Sequence, residues 1–262
     1  MNKNRRRVLA VITAGLLILT ILSAGCISTL NPLPHEVMVR ENIIAVNPEY
    51  VPSSLIISLL VNPNGYETSL FDALDEYLPR ENPVIEIGAG IGAVSAYVND
   101  RLFIKTEHIA LEPNPYYTEL LRETKKKNNL GTRFVQGAIN YDAAFVPYVV
   151  SRNIVDTSAA AAYNGETVTV QSLTLSQIVH DSTFVDKTNI TLIVDAEGVC
   201  EDILDNEPAL SHAVSTIITT VTDSDEIFEL RRKAESAGYT IVNTPTEDES
   251  GLMTLVFLKT IS

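Results

Sequence analysis

Cysteine is nearly absent. Cys26 and Cys200 are the only two, they stand far apart in different contexts, and together they exclude a disulfide framework and a cysteine-built zinc site. Basic residues are scarce as well, with 19 Lys and Arg against 33 Asp and Glu and a formal net charge of −14. Lys3, Arg5, Arg6 and Arg7 all precede Cys26 in a stretch without acids, so the remainder is more acidic still. Such a surface repels phosphate backbones, which argues against nucleic acid as a partner. Neutral or cationic substrates fit better. Tryptophan is missing altogether, which decides nothing, and no internal repeat is visible.

What is present begins with an uncharged run, Val8 to Ile27, behind Arg5-Arg6-Arg7. It is long enough to cross a bilayer as a helix. It also reads as a signal segment with small residues Ser23-Ala24-Gly25 ahead of a lipidated Cys26. Lipid anchor and transmembrane anchor (8–27) both stay open. The charge rule places the domain C-terminal to this run outside the cytoplasm, and a distant twin-arginine likeness at Asn4 to Leu9 would export a folded protein.

Residues 28–36, with Pro32 and Pro34, read as a linker. From 37 to 262 the pattern is that of one domain, with an N-terminal extension over 37–80 and a core over 81–262. Ile43 to Val46 and Leu55 to Ile57 suggest a small β layer, and Glu67 to Leu78 carries apolar residues at helical spacing. A βα rhythm comes next: strand 84–88, helix 91–99, strand 108–112, helix 115–128, strand 133–138. An irregular segment over 143–171 implies an inserted loop or hairpin. The rhythm resumes with helix 174–180, strand 190–195, helix 199–205, strand 214–221, helix 225–237 and strands 239–243 and 253–259. The fold class this implies is α/β: a Rossmann-like, doubly wound, mostly parallel seven-stranded sheet with helices on both faces.

Chemistry concentrates at the turn after the first main strand. Gly88-Ala89-Gly90-Ile91-Gly92-Ala93 satisfies G-x-G-x-x-A, so a nicotinamide or flavin cofactor is formally allowed. Glu86 lies within that strand, where it would repel a pyrophosphate and attract an ammonium. Glu112 ends the next strand, where a carboxylate can accept both ribose hydroxyls of an adenosine. Asp195 ends a central strand and Glu197 stands two residues later; each also reads as a cap or first-turn acid of the next helix. His108 and His180 sit at element boundaries without a catalytic task, and Cys200 reads as a small buried residue.

Val84-Ile-Glu-Ile-Gly-Ala-Gly-Ile-Gly92, Ala110-Leu-Glu-Pro-Asn-Pro115 and Leu192-Ile-Val-Asp-Ala-Glu-Gly198 together resemble the FkbM-type S-adenosylmethionine-dependent methyltransferases, from the lead-in Gly65-Tyr66-Glu67 to the C-terminus. The resemblance implies S-adenosyl-L-methionine as cofactor, lined by Glu86, Gly88, Ala89, Gly90, Gly92, Glu112, Pro113 and Asn114, with Gly137 and Ala138 near the adenine. It puts Asp195 and Glu197 on the acceptor side as catalytic residues, with no metal assigned. The implied reaction is O-methylation of a hydroxyl on a small molecule, glycan or lipid. Two positions depart from the family pattern: Gly90 replaces an Asn, and Thr216 to Val221 lacks a terminal Glu. A surface-anchored binding module without catalysis and a NAD-dependent oxidoreductase are the alternative readings.

Overall fold

In the computed structural model, residues 33–150, 167–184, 186–207 and 209–260 are described. The expected anchor and most of the expected linker (1–32) lie outside them. The described residues from His35 onward form one compact unit. Among the described residues no helix is long and apolar enough to cross a membrane.

The unit opens on a hairpin of β1 (Glu36–Val39) and β2 (Asn42–Ala45). Arg40 and Glu41 both take positive φ, 43° and 74°, the turn geometry that matches strand twist. The expected β layer ends there. Ser53–Val61 is instead a helix, α1, burying Ile56 and Leu59, because its apolar residues repeat at three to four rather than two. Helix α2 (Thr68–Tyr77) buries Leu70, Phe71, Ala73 and Leu74.

The main sheet comprises β3 (Val84–Ile87), β4 (His108–Glu112), β5 (Arg133–Gln136), β9 (Ile190–Val194), β10 (Val214–Val221), β11 (Tyr239–Ile241) and β12 (Met253–Lys259). Their order is β11-β12-β10-β9-β3-β4-β5. β10, β9, β3, β4 and β5 pair in parallel, and β12 runs antiparallel between β10 and β11. β3, β4 and β9 are buried throughout and mostly apolar, as expected of strands covered on both faces. The connecting helices are α3 (Ala93–Arg101), α4 (Pro115–Asn128), α5 (Leu175–His180), α6 (Val199–Asn206), α7 (Leu210–Ala213) and α8 (Ser224–Ser236).

Local chemistry sets the helix ends. Asn114 caps α4 by accepting from Tyr116 N–H at 3.0 Å, Pro115 fills the first turn, and Lys125 to Lys127 close the last. Thr174 and Gln177 form a capping box on α5.

The expected strand over 133–138 is broken at Gly137. Ala138–Ile139 forms β6, in a separate sheet with β7 (Phe145–Val149) and β8 (Thr167–Leu173), in the order β6-β8-β7. β7 and β8 are antiparallel, so the inserted segment is a β-hairpin whose tip lies outside the described residues.

Sequence order runs outward in one direction through β3, β4, β5 and in the other through β9, β10. The reversal falls between β3 and β9, and the crevice beyond the carboxyl ends of strands at such a point is where this architecture binds ligands.

Candidate functional site

The crevice at that reversal is the candidate site. Its floor is the meeting of two strand ends. Asp195 N–H donates to Ile87 O at 2.8 Å, and a Cβ added to Gly88 would lie 2.2 Å from Asp195 O. Gly88 also holds φ 91°. Glycine is therefore required there twice over, by backbone conformation and by close approach.

Glycine-turn residues Gly88, Ala89 and Gly90 line the cavity, with Glu112, Pro113 and Asn114 from the end of β4. Gly137 and Ala138 form one wall, and Asp195 and Glu197 another. Ten of the residues expected at the site thus share one cavity. Glu86 and Gly92 do not line it. Glu86 alternates with Ile85 and Ile87, which belong to the hydrophobic core, so it points to the other face of the sheet. There it is fully buried, accepting from Ser95 Oγ at 2.7 Å and from His108 Nε2 at 3.0 Å. His108 Nδ1 meets Thr132 Oγ1 at 2.9 Å, so this histidine serves a buried polar network. Gly92 starts α3 at φ 86° and packs against α4, where a Cβ would come within 2.9 Å of Leu121 Cδ2.

Residues that sequence reasoning did not assign to the site also line it, among them Tyr66 and Glu67 ahead of α2, Tyr117 on α4, Ile139 on β6 and Tyr148 on β7. Only the Gly65-Tyr66-Glu67 lead-in carried a signal for any of them. Tyr117 lies in the second half of the first turn of α4, which faces inward, and Tyr148 sits in the stretch that read as irregular.

The cavity has two chemically distinct ends. At one, Glu112 is 6 % exposed. Its Oε2 accepts from Gly90 N–H at 2.8 Å and its Oε1 from Asn114 N–H at 2.7 Å. Each oxygen keeps a lone pair for a further donor. Burial pushes its pKa up to about 7 against the pull of those two N–H groups. Tyr117 and Tyr148 flank this end, both raised above the usual phenol range by burial and then by the Glu112 charge. The Tyr117 ring is 4 % exposed and its hydroxyl has no partner.

At the other end stand Glu67, Tyr66, Asp195 and Glu197. Asp195 Oδ1 accepts from Thr220 Oγ1 at 2.8 Å, and burial raises its pKa to about 6. Burial and then the Asp195 charge push Glu67 well above the usual carboxylate range. Glu67 Oε2 is sealed from solvent with no hydrogen-bond partner. Among the described residues lining the cavity there is no Lys, Arg or His, and no group of three or more His, Cys, Asp and Glu is placed to share a metal ion.

Away from the cavity, Cys200 is a buried thiol pushed up to about 12 by burial. His180 is an exposed side chain paired with Asp181 at 3.0 Å.

The architecture is thus a Rossmann-like α/β sheet with the candidate site at the switch point. No family model and no curated protein matches the chain. Solved structures of similar fold include a precorrin-6y C5,15-methyltransferase from Geobacter metallireducens, at 13 % identity and TM-score 0.48, covering 83 % of this chain and 94 % of that one. They also include the ribosomal protein L11 methylase from Lactobacillus delbrueckii subsp. bulgaricus, at 10 % identity and TM-score 0.47, covering 76 % and 81 %. A third is TrmK from M. capricolum in complex with S-adenosyl-homocysteine, at 11 % identity and TM-score 0.48, covering 75 % and 69 %.

Proposed function

We propose that the chain is an S-adenosylmethionine-dependent methyltransferase acting on a hydroxyl acceptor. The observation that carries the reading is the state of Glu112. Two backbone N–H groups hold its carboxylate at the rim of the glycine turn, with one lone pair left on each oxygen. That is what a pair of vicinal ribose hydroxyls needs. The same bond speaks against a dinucleotide: Gly90 N–H, which a pyrophosphate would use, is already given to Glu112. Four carboxylates line the cavity without a basic residue among the described ones, a poor setting for a diphosphate and a good one for a sulfonium.

The residues fit the donor. Glu112 would take the ribose, and Gly137, Ala138 and Tyr148 would flank the base. The bound donor supplies an electrophilic methyl group on a cationic sulfur. Everything else falls to the protein. Asp195 stands where the strand ends meet, held through Oδ1 by Thr220. With a pKa raised to about 6, it is ionised at neutral pH yet basic enough to accept the proton of an acceptor hydroxyl. Glu197, at the exposed mouth, is suited to orienting that acceptor. Positioning supplies most of the rate in such a displacement. The motifs resembling the FkbM-type family support the finer assignment. Membrane attachment is part of the proposal through Val8 to Ile27.

Calorimetric titration of the purified chain with S-adenosylhomocysteine and, separately, with NAD tests the reading. Saturable heat with the first and none with the second is the expected result. Binding of NAD alone would replace the proposal by an oxidoreductase, and heat with neither would favour a non-catalytic binding module.

A further inference from the structure

Glu67 enters α2 from a left-handed backbone conformation, φ 42° and ψ 49°, which side-chain-bearing residues adopt only against a steric penalty. The turn is held from outside. Ser69 N–H donates to Asp248 Oδ2 at 3.3 Å and Ser69 Oγ meets Thr254 Oγ1 at 3.1 Å. So held, Glu67 lines the cavity, with Oε2 closed to water and without a partner. A buried acceptor left unmatched costs stability, and here Asp195 adds like charge nearby. Neither a basic lining residue nor a metal-holding group exists among the described residues to answer the two acids. Tyr66 also lines the cavity and hydrogen-bonds the Glu67 side chain, which leaves Oε2 as the acceptor without a partner.

We propose that Glu67 is a binding residue for an organic ammonium group, held at its carboxylate, with Asp195 left to the acceptor's proton. The inference rests on the methyl-donor reading, in which the ammonium is that of the donor's amino-acid end. An amine on the acceptor is the other source of the same chemistry. In the cavity without ligand, burial and then the Asp195 charge hold Glu67 above the usual carboxylate range, with Tyr66 and Asp248 nearby and Glu86 acting from the other face of the sheet. An arriving ammonium favours the ionised carboxylate and draws the raised pKa back down, so binding is expected to release protons.

The test titrates the full chain with S-adenosylhomocysteine and with its deamino analogue, in which hydrogen replaces the α-amino group, in two buffers of different ionisation enthalpy. The wild type is expected to prefer the amino compound by about tenfold or more, the usual scale for a charge-assisted hydrogen bond, and to release a proton on binding it. Glu67→Gln is expected to abolish both. If the wild type does not distinguish the two nucleosides but binds butylamine beside them, and Glu67→Gln loses the amine, the ammonium belongs to the acceptor. If Glu67→Gln changes neither the preference nor amine binding, the inference is overturned. Should the wild type bind neither nucleoside, the donor reading has failed, and butylamine alone decides the subsite. Glu67→Gly guards against a folding defect. Glycine relieves the left-handed strain, so the melting temperature should rise while the preference disappears. A rise with the preference intact would also overturn it.

Discussion

Glu112 and Glu67 are both carboxylates withdrawn into one cavity, yet their surroundings differ in kind. Glu112 accepts two backbone N–H groups, one from the glycine turn and one from the helix start it adjoins. Glu67 has an oxygen sealed without a partner and Asp195 for a neighbour. The first arrangement is complete before any ligand arrives, because the backbone that satisfies the acid is fixed by the fold. The second is incomplete and places an unmet acceptor where a ligand must go. Preorganisation at one end and unsatisfied charge at the other divide the work: one end positions, the other awaits a positive or proton-bearing group.

Removing the charge at the incomplete end should have the largest effect. Asp195→Asn keeps the shape and the bond from Thr220 while abolishing the base. A turnover loss of roughly a hundred- to ten-thousandfold is expected, the range for a positioned general base. S-adenosylhomocysteine affinity should fall much less. Single-turnover methyl transfer to an acceptor, set beside a binding titration, separates the two. Equal losses in both would make Asp195 a binding group and collapse the distinction between the ends.

At the complete end the effect should be smaller and lie in affinity. Glu112→Gln places an amide NH2 against one of the two backbone N–H groups. S-adenosylhomocysteine affinity should then weaken about ten- to a hundredfold, the scale of hydrogen bonds to a charged group. Stability reports on the same residue. Its folded pKa is raised from 4.5 to about 7, so between those values the folded protein holds a proton that the unfolded chain has released. Stability without ligand therefore falls as pH rises through that window, by up to about 3 kcal/mol from this group. Asp195, raised from 3.8 to about 6, acts in the same direction. Urea unfolding at several pH values should show the decline, and Glu112→Gln should flatten its upper part.

How far the sequence carries such a comparison depends on the residue. The strand–turn–helix at Val84 to Arg101 was legible because apolar runs, three glycines and a helix occur in unbroken order. Glu112 and Asp195 were legible because each closes an apolar strand, and in a parallel sheet those ends converge. Glu86 misled for the same reason of proximity: it is near the turn in sequence, but strand alternation sends it to the opposite face, to Ser95 and His108. Tyr148 could not be read from local pattern, and Glu67 carried only the signal of its Gly65-Tyr66-Glu67 lead-in. One reaches the cavity through a hairpin insertion, and the other through a left-handed turn fixed by Asp248 and Thr254 from the far end of the chain. Both are consequences of long-range packing, which leaves no periodic trace.

Thr220 offers the finest discrimination. Its hydroxyl donates to Asp195 Oδ1 at 2.8 Å and so favours the ionised carboxylate, opposing the upward push of burial. Thr220→Val keeps the branched shape at a position only 8 % exposed and deletes the donor. The Asp195 pKa should then climb from about 6 by roughly one further unit, the equivalent of one charge-assisted hydrogen bond. Below the new value the base is protonated, so the acidic limb of the pH–rate profile should move upward by the same amount. A few-fold rate loss is expected near pH 6 and almost none near pH 8, with nucleoside affinity unchanged. A limb that stays in place would remove Asp195 from the proton's path and leave Glu67 or Glu197 to supply the base at this end.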